Sequence, residues 1–181
     1  MARLDPDSLA AHTDRLYRAA WALCGSPLDA EDLVQETFAR VLGRPRFLSG
    51  QDELAYLMQA LRNTFLSGRR AAARRPAVVA ARVEELSLSD GRASTQPEEA
   101  LAAGELLAAV AQLDDDFRFA LVAVDILGLS YAEAARALGT REATITTRLY
   151  RARQRLARQL APPQSAASRE GTARSGRLID E

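Results

Sequence analysis

Between Arg136 and Arg158 the chain carries seven arginines and a single acid, Glu142, with Thr144, Thr146 and Thr147 interspersed. These residue types can read duplex DNA. Arginine bridges guanine or phosphate, glutamate accepts from cytosine, and threonine meets a thymine methyl. A second basic run, Arg62 to Arg82, holds six arginines and no acid, whereas Glu84 to Asp116 holds nine acids and one arginine. The formal net charge of zero, from 24 arginines and 24 acids, conceals this segregation. Residues suited to catalysis are scarce. There is one histidine, His12, and one cysteine, Cys24, with no metal-ligand spacing and no glycine-rich phosphate loop. No cofactor, metal or enzymatic activity is expected. Asp114, Asp115 and Asp116 invite a metal reading, but at a predicted helix start they read as cap and dipole partners. Cys24 reads as a small buried apolar residue, and His12 as solvated or half-packed.

The elements that must position these groups follow from apolar spacing. Leu9, Leu16, Ala20 and Leu23 predict a helix over 8–24, closed by Gly25. Ser26 is a cap with Pro27 at the first helical position. The next helix, 27–42, turns Leu33, Val34, Phe38, Val41 and Leu42 to one face and Asp29, Glu31, Asp32, Gln35 and Glu36 to the other. Residues 43–51 read as a loop. A third helix, 52–74, has Leu54, Leu57, Met58, Leu61, Phe65 and Leu66 as its apolar set and is stopped by Pro76. Further helices are predicted over 98–112 and 114–127.

Ser130–Glu133 is a capping box opening a short helix, 131–138. Gly139 supplies a turn and Thr140 a cap for a longer helix over 141–160. Short helix, glycine turn, long helix is helix-turn-helix spacing, in which the second helix enters the major groove. Arg141, Glu142, Thr144, Thr147, Arg148 and Arg151 are its candidate DNA contacts, with Ile145, Leu149, Ala152 and Leu156 packing inward. The expected fold class is all-α: two small helical domains joined by a flexible linker, the second containing the helix-turn-helix. The boundaries are 1–76, linker 77–97, 98–161, and a disordered tail 162–181. No apolar run spans a membrane and no signal pattern opens the chain, so a cytoplasmic location is expected.

Three stretches carry a resemblance: DAEDLVQETFARVL (29–42), AYLMQALRNTFLSGRR (55–70) and LGLSYAEAARALGTREATITTRLYRARQRL (127–156). In their order and separation the chain resembles the extracytoplasmic-function (ECF) subfamily of bacterial RNA polymerase sigma factors, over nearly residues 8–160. The resemblance implies a transcription initiation factor. Asp29, Asp32, Leu33, Gln35 and Glu36 would dock on the β′ coiled coil of core RNA polymerase, and the β flap is a further implied contact. Arg44, Arg46, Phe47, Leu48, Arg62, Asn63, Arg69 and Arg70 would bind and open the −10 element, Phe47 and Leu48 receiving a flipped base. The helix-turn-helix would read the −35 element as duplex. An anti-sigma factor is an implied partner, and no membrane is. The chain departs from the family pattern at Tyr56 (usually tryptophan), Ser67 (commonly aspartate) and Thr146 (often lysine), the last removing a phosphate contact. Two rivals remain open. A sigma-like decoy for an anti-sigma factor would need neither basic segment, and a dimeric helix-turn-helix regulator would not need the acidic docking helix.

Overall fold

The computed structural model describes residues 2–3, 6–43, 47–48, 50–74 and 97–161. The expected linker up to residue 96, the tail 162–181, and the candidates Arg44 and Arg46 lie outside these. The described residues form α1 (Pro6–Cys24), α2 (Pro27–Leu42), α3 (Gly50–Arg74), α4 (Pro97–Ala111), α5 (Asp115–Leu121), a π-helical turn (Val122–Ile126), α6 (Tyr131–Leu138) and α7 (Glu142–Leu160). The fold is all-α, as expected, apart from one small antiparallel ladder between β1 (Ala2–Arg3) and β2 (Phe47–Leu48), which pairs Ala2 with Leu48 and Arg3 with Phe47. That pairing is non-local and leaves no periodic trace in a loop of glycine and proline.

α1, α2 and α3 pack around Leu16, Leu23, Val34, Leu57, Met58 and Leu61. Each such side chain contributes roughly 1.5–3 kcal/mol on burial. The chain reverses between α1 and α2 at Gly25, whose φ of +78° suits glycine. Ser26, in extended backbone, then accepts a hydrogen bond on Oγ from the Asp29 N–H at 3.4 Å, with Pro27 opening the helix. One member of the predicted apolar face of α2 is misassigned. Leu42, the last residue of the helix, is 41% exposed.

The second unit differs from expectation in two places. The predicted helix 114–127 is α5 followed by the π-helical turn, where the Leu127 N–H donates to the Val122 carbonyl at 3.0 Å. The wide turn leaves Asp125 beside Arg153 of α7 (2.6 Å) while Leu127 and Leu129 stay buried. The capping box of α6 is present. Ser130 Oγ accepts from the Glu133 N–H (3.3 Å) and Glu133 Oε2 accepts from the Ser130 N–H (2.8 Å). Gly139 ends α6 with φ +65°. Thr140 does not cap α7, however. Arg141 occupies that position with no side-chain cap bond, and the Thr140 N–H instead donates to the Ala135 carbonyl, completing the end of α6.

The two units pack on one another, α1 against α4 and α3 against α6. Gly25 sits in this contact, where a Cβ would lie 3.0 Å from Ala111 Cβ; at Gly139 a Cβ would meet open space. Both glycines have positive φ, a conformation costing an L-residue about 1–2 kcal/mol. Gly139→Ala should therefore cost about that much by denaturant unfolding, and Gly25→Ala measurably more because it also forces α1 and α4 apart. Equal losses would contradict the close approach.

Candidate nucleic-acid interface

The outer face of α2 places Asp32, Gln35 and Glu36 in solvent, with Asp29 half-buried; Glu36 pairs with Arg40 one turn on (2.7 Å). Leu33 is a correction. It is buried in the core and offers nothing to a partner. The exposed apolar residues of this helix are Leu28 (68%) and Leu42. With Asp32, Gln35 and Ala39 they fall on one stripe at alternating four- and three-residue steps. The seven-residue spacing 28–35–42 was the available signal, hidden because Leu42 also fits the apolar pattern.

On α3 the four candidates divide between two faces, since residues seven apart align and adjacent ones diverge by about 100°. Asn63 and Arg70 face solvent, Arg70 donating to the Leu66 carbonyl (3.1 Å) and to Ser67 Oγ (3.3 Å). Ser67, a departure from the family pattern, thus accepts from Arg70, and Tyr56 packs against the core. Arg62 and Arg69 face α5. Arg62 lies over the Phe119 ring (5.2 Å to the centroid), and Arg69 pairs with Asp115 at 2.6 Å. Phe47 and Leu48 are placed by their pairing with the chain start, apart from this cluster in sequence.

Over residues 142–151 of α7 the exposed positions are Glu142, Ala143, Thr146, Thr147, Tyr150 and Arg151, again a continuous helical stripe. The hydroxyls of Thr146 and Thr147 donate to the carbonyls of Glu142 and Ala143 (3.2 and 3.1 Å), so this β-branched run satisfies its own polar groups. Thr144 is half-buried and Arg141 exposed. Arg148 is turned off the stripe onto Asp116 (2.5 Å). Sequence reasoning missed Tyr150, which is 64% exposed and accepts on its hydroxyl from Gln154 Nε2 (2.8 Å).

The aspartates stand at the start of α5, as expected, with Asp114 at the N-cap position and Asp115 and Asp116 in the first turn, but the Asp114 side chain makes no cap bond. Each takes an arginine. Asp114 pairs with Arg155, whose guanidinium also lies 4.4 Å over the Phe117 ring, Asp115 with Arg69 and Arg118, and Asp116 with Arg148. Arg118 is itself buried and donates to the carbonyls of Leu23 (2.7 Å) and Ala111 (2.9 Å). Among the described residues no group of three or more potential ligands could hold a metal ion, and no helix is long and apolar enough to cross a membrane.

Residues 9–75 match the family model for sigma-70 region 2, and residues 103–156 that for sigma-70 region 4. The chain is 35% identical over 157 residues to the ECF sigma factor EcfG of Rhodopseudomonas palustris, covering 83% of this chain and 81% of that one. It belongs to the ECF family of RNA polymerase sigma factors. The ECF sigma factor SigE of Mycolicibacterium smegmatis is 34% identical over 151 residues, 83% of this chain but 59% of that protein's length. Among solved structures, the sigma factor RpoE of Bartonella quintana, in complex with the anti-sigma factor NepR, superposes with a TM-score of 0.65. The identity is 27%, over 86% of this chain and 98% of that one.

In this ECF factor α3 thus falls within the matched region 2 and α7 as far as residue 156 within region 4, and α5 carries ion pairs to both. Cys24, at the junction, is half-buried and its Sγ donates to the Asp29 carbonyl. Burial pushes its thiol up to about 11, with the Asp29 carboxylate adding to the rise and Arg118 opposing it. Alkylation of Cys24 at pH 8 should accordingly be slower than that of an unfolded cysteine by about two orders of magnitude in thiolate fraction. Its rate should climb about tenfold per pH unit until near 11, as followed by iodoacetamide kinetics. A plateau near pH 9 would contradict this environment.

Proposed function

We propose that this chain is the promoter-specificity subunit of RNA polymerase rather than an enzyme in its own right. Residues 1–76 dock on core polymerase and engage the −10 element, and residues 98–161 read the −35 element; such a protein works in the cytoplasm. The observation that carries this reading is the coexistence, in one family member, of an acidic outer face on α2, a basic α3 and an exposed polar stripe on α7.

Docking falls to Asp32, Gln35 and Glu36, with Asp29 beside them and Leu28 and Leu42 supplying the apolar contact in place of Leu33. Such a stripe fits a basic helical hairpin, acids meeting cations around two apolar anchors. Asn63 is exposed to meet the −10 strand, Arg70 meets it by giving up its bonds to Leu66 and Ser67, and Arg62 and Arg69 meet it after leaving α5. Arg44, Arg46, Phe47 and Leu48 belong to the same strand-opening segment by family resemblance. For −35 reading, Glu142, Thr147 and Arg151 stand ready on the exposed stripe, joined by Tyr150. Thr144 and Arg141 flank it, and Arg148 reaches a base only by leaving Asp116. An anti-sigma factor is a fitting regulator, as the NepR complex of the Bartonella relative suggests.

Run-off transcription with purified core polymerase and genomic promoter fragments tests the whole reading. The expected result is a promoter-specific transcript. In the same assay Arg151→Ala should weaken −35-dependent initiation by roughly 1–3 kcal/mol on its preferred sequence. No specific transcript, with tight capture of an anti-sigma protein, would make the chain a sequestering decoy instead.

A further inference from the structure

The middle of the exposed stripe on α7 offers few hydrogen-bond donors to a base edge. The hydroxyls of Thr146 and Thr147 each commit their one hydrogen to a carbonyl a turn back, that of Glu142 at 3.2 Å and that of Ala143 at 3.1 Å. What each threonine then presents outward is its γ-methyl, with an oxygen that can only accept. Ala143 adds a bare methyl, and the exposed Tyr150 ring extends the apolar surface along the helix. Arg148, the arginine nearest in sequence to the two threonines, is held on Asp116 at 2.5 Å. Glu142 and Arg151 bound the stripe at its two ends.

We propose that α7 reads its promoter element chiefly through thymine, by contact of Ala143, Thr146 and Thr147 with the 5-methyl groups in the major groove. The proposal deepens the reading of α7 as the −35 helix and rests on it. In that groove the thymine methyl belongs to one base alone, so an apolar patch tells T·A from G·C and, by the side on which the methyl lies, from A·T. Guanine shows two acceptors there and calls for a donor, which Arg151 supplies at one end of the stripe. At the other end Glu142 accepts from a cytosine amino group.

Helix geometry sets the size of the window. Ala143, Thr146, Thr147 and Tyr150 follow one another at three- and four-residue spacing and so share one face. From Ala143 to Tyr150 the helix rises about 10 Å, which covers roughly three base-pair steps of duplex. The side chains at 143, 146 and 147 are short, which lets the helix backbone come close to the groove floor. Ile145, Leu149 and Ala152 are buried on the opposite face and fix the helix from behind. The two hydroxyl bonds hold the β-branched threonines in place, so the methyls lose little rotamer freedom on contact.

The test uses holoenzyme assembled from the full chain and core polymerase. A random-sequence duplex pool is enriched for binding, and the enriched site is remade with deoxyuridine in place of one thymine at a time, which removes only the 5-methyl group. About two or three neighbouring replacements should each weaken binding roughly three- to fivefold, as expected for one buried methyl. Thr146→Ser and Thr147→Ser factors lose the γ-methyl and keep the hydroxyl, and each should lose the discrimination at one of these positions. Thr146→Val and Thr147→Val factors keep a methyl and should keep the discrimination. All four changes lie at exposed positions outside the core. The coupling between side-chain methyl and base methyl separates direct contact from any effect of uridine on the duplex itself. Uridine tolerated at every thymine, or penalties that persist unchanged in both serine variants, overturn the proposal. A pool from which no site is enriched sinks the promoter-reading role itself, whereas an enriched site indifferent to uridine sinks the methyl readout alone.

Discussion

The Arg118 guanidinium lies where α1 of the first unit and α4 of the second both run out of N–H donors, and it closes the two ends at once. A buried charge is costly unless its donors are used and its charge is balanced. Two carbonyls, the Asp115 carboxylate and the face of Phe65 meet most of that demand. Through Asp115 and Phe65 the same side chain is linked to α3, where Arg69 shares the Asp115 carboxylate. Gly25 allows the approach, since a side chain there would meet Ala111 before Arg118 could reach Leu23.

The aspartates 114–116 extend the same logic into the second unit. Through Asp114 and Asp116 they hold Arg155 and Arg148 of α7, and Asp125 holds Arg153, raising the affinity of that guanidinium for its proton. Exposed pairs of this kind contribute about 0–1 kcal/mol, less than the burial of Ile145, Leu149 and Ala152 beneath them. Apolar packing therefore holds α7 in place, and the ion pairs orient its arginines. Of the long basic run, Arg148, Arg153 and Arg155 are each held by a carboxylate, while Arg141, Arg151 and Arg158 stay exposed beside Glu142, Thr146, Thr147 and Tyr150.

Local features were legible in the sequence. Gly25, Ser26 and Pro27 marked one helix boundary, Ser130 with Glu133 marked another, and apolar spacing located the core of α1, α2 and α3. The features that escaped depend on contacts between segments distant in sequence. Nothing near Arg118 announces that its partners are the ends of α1 and α4, so the neighbouring aspartates read as caps. Leu33 and Leu42 both fit an apolar stripe, and only the neighbours of α2 decide which is covered. Thr140 had the right residue type for a cap, but the end of α6 took its N–H. Of the candidate site, residue types on α2, α3 and α7 were readable, but not which of them a neighbouring carboxylate already holds.

The two units pack on one another in this structure, and reading two separated promoter elements at once requires them to part. The most direct measurement is the distance between labels on α3 and α7 in the free factor and again in the complex with core polymerase and promoter DNA. The account predicts a short separation in the free factor and a single, much longer one in the complex. A separation that stays short while promoter-specific transcript is made would contradict it.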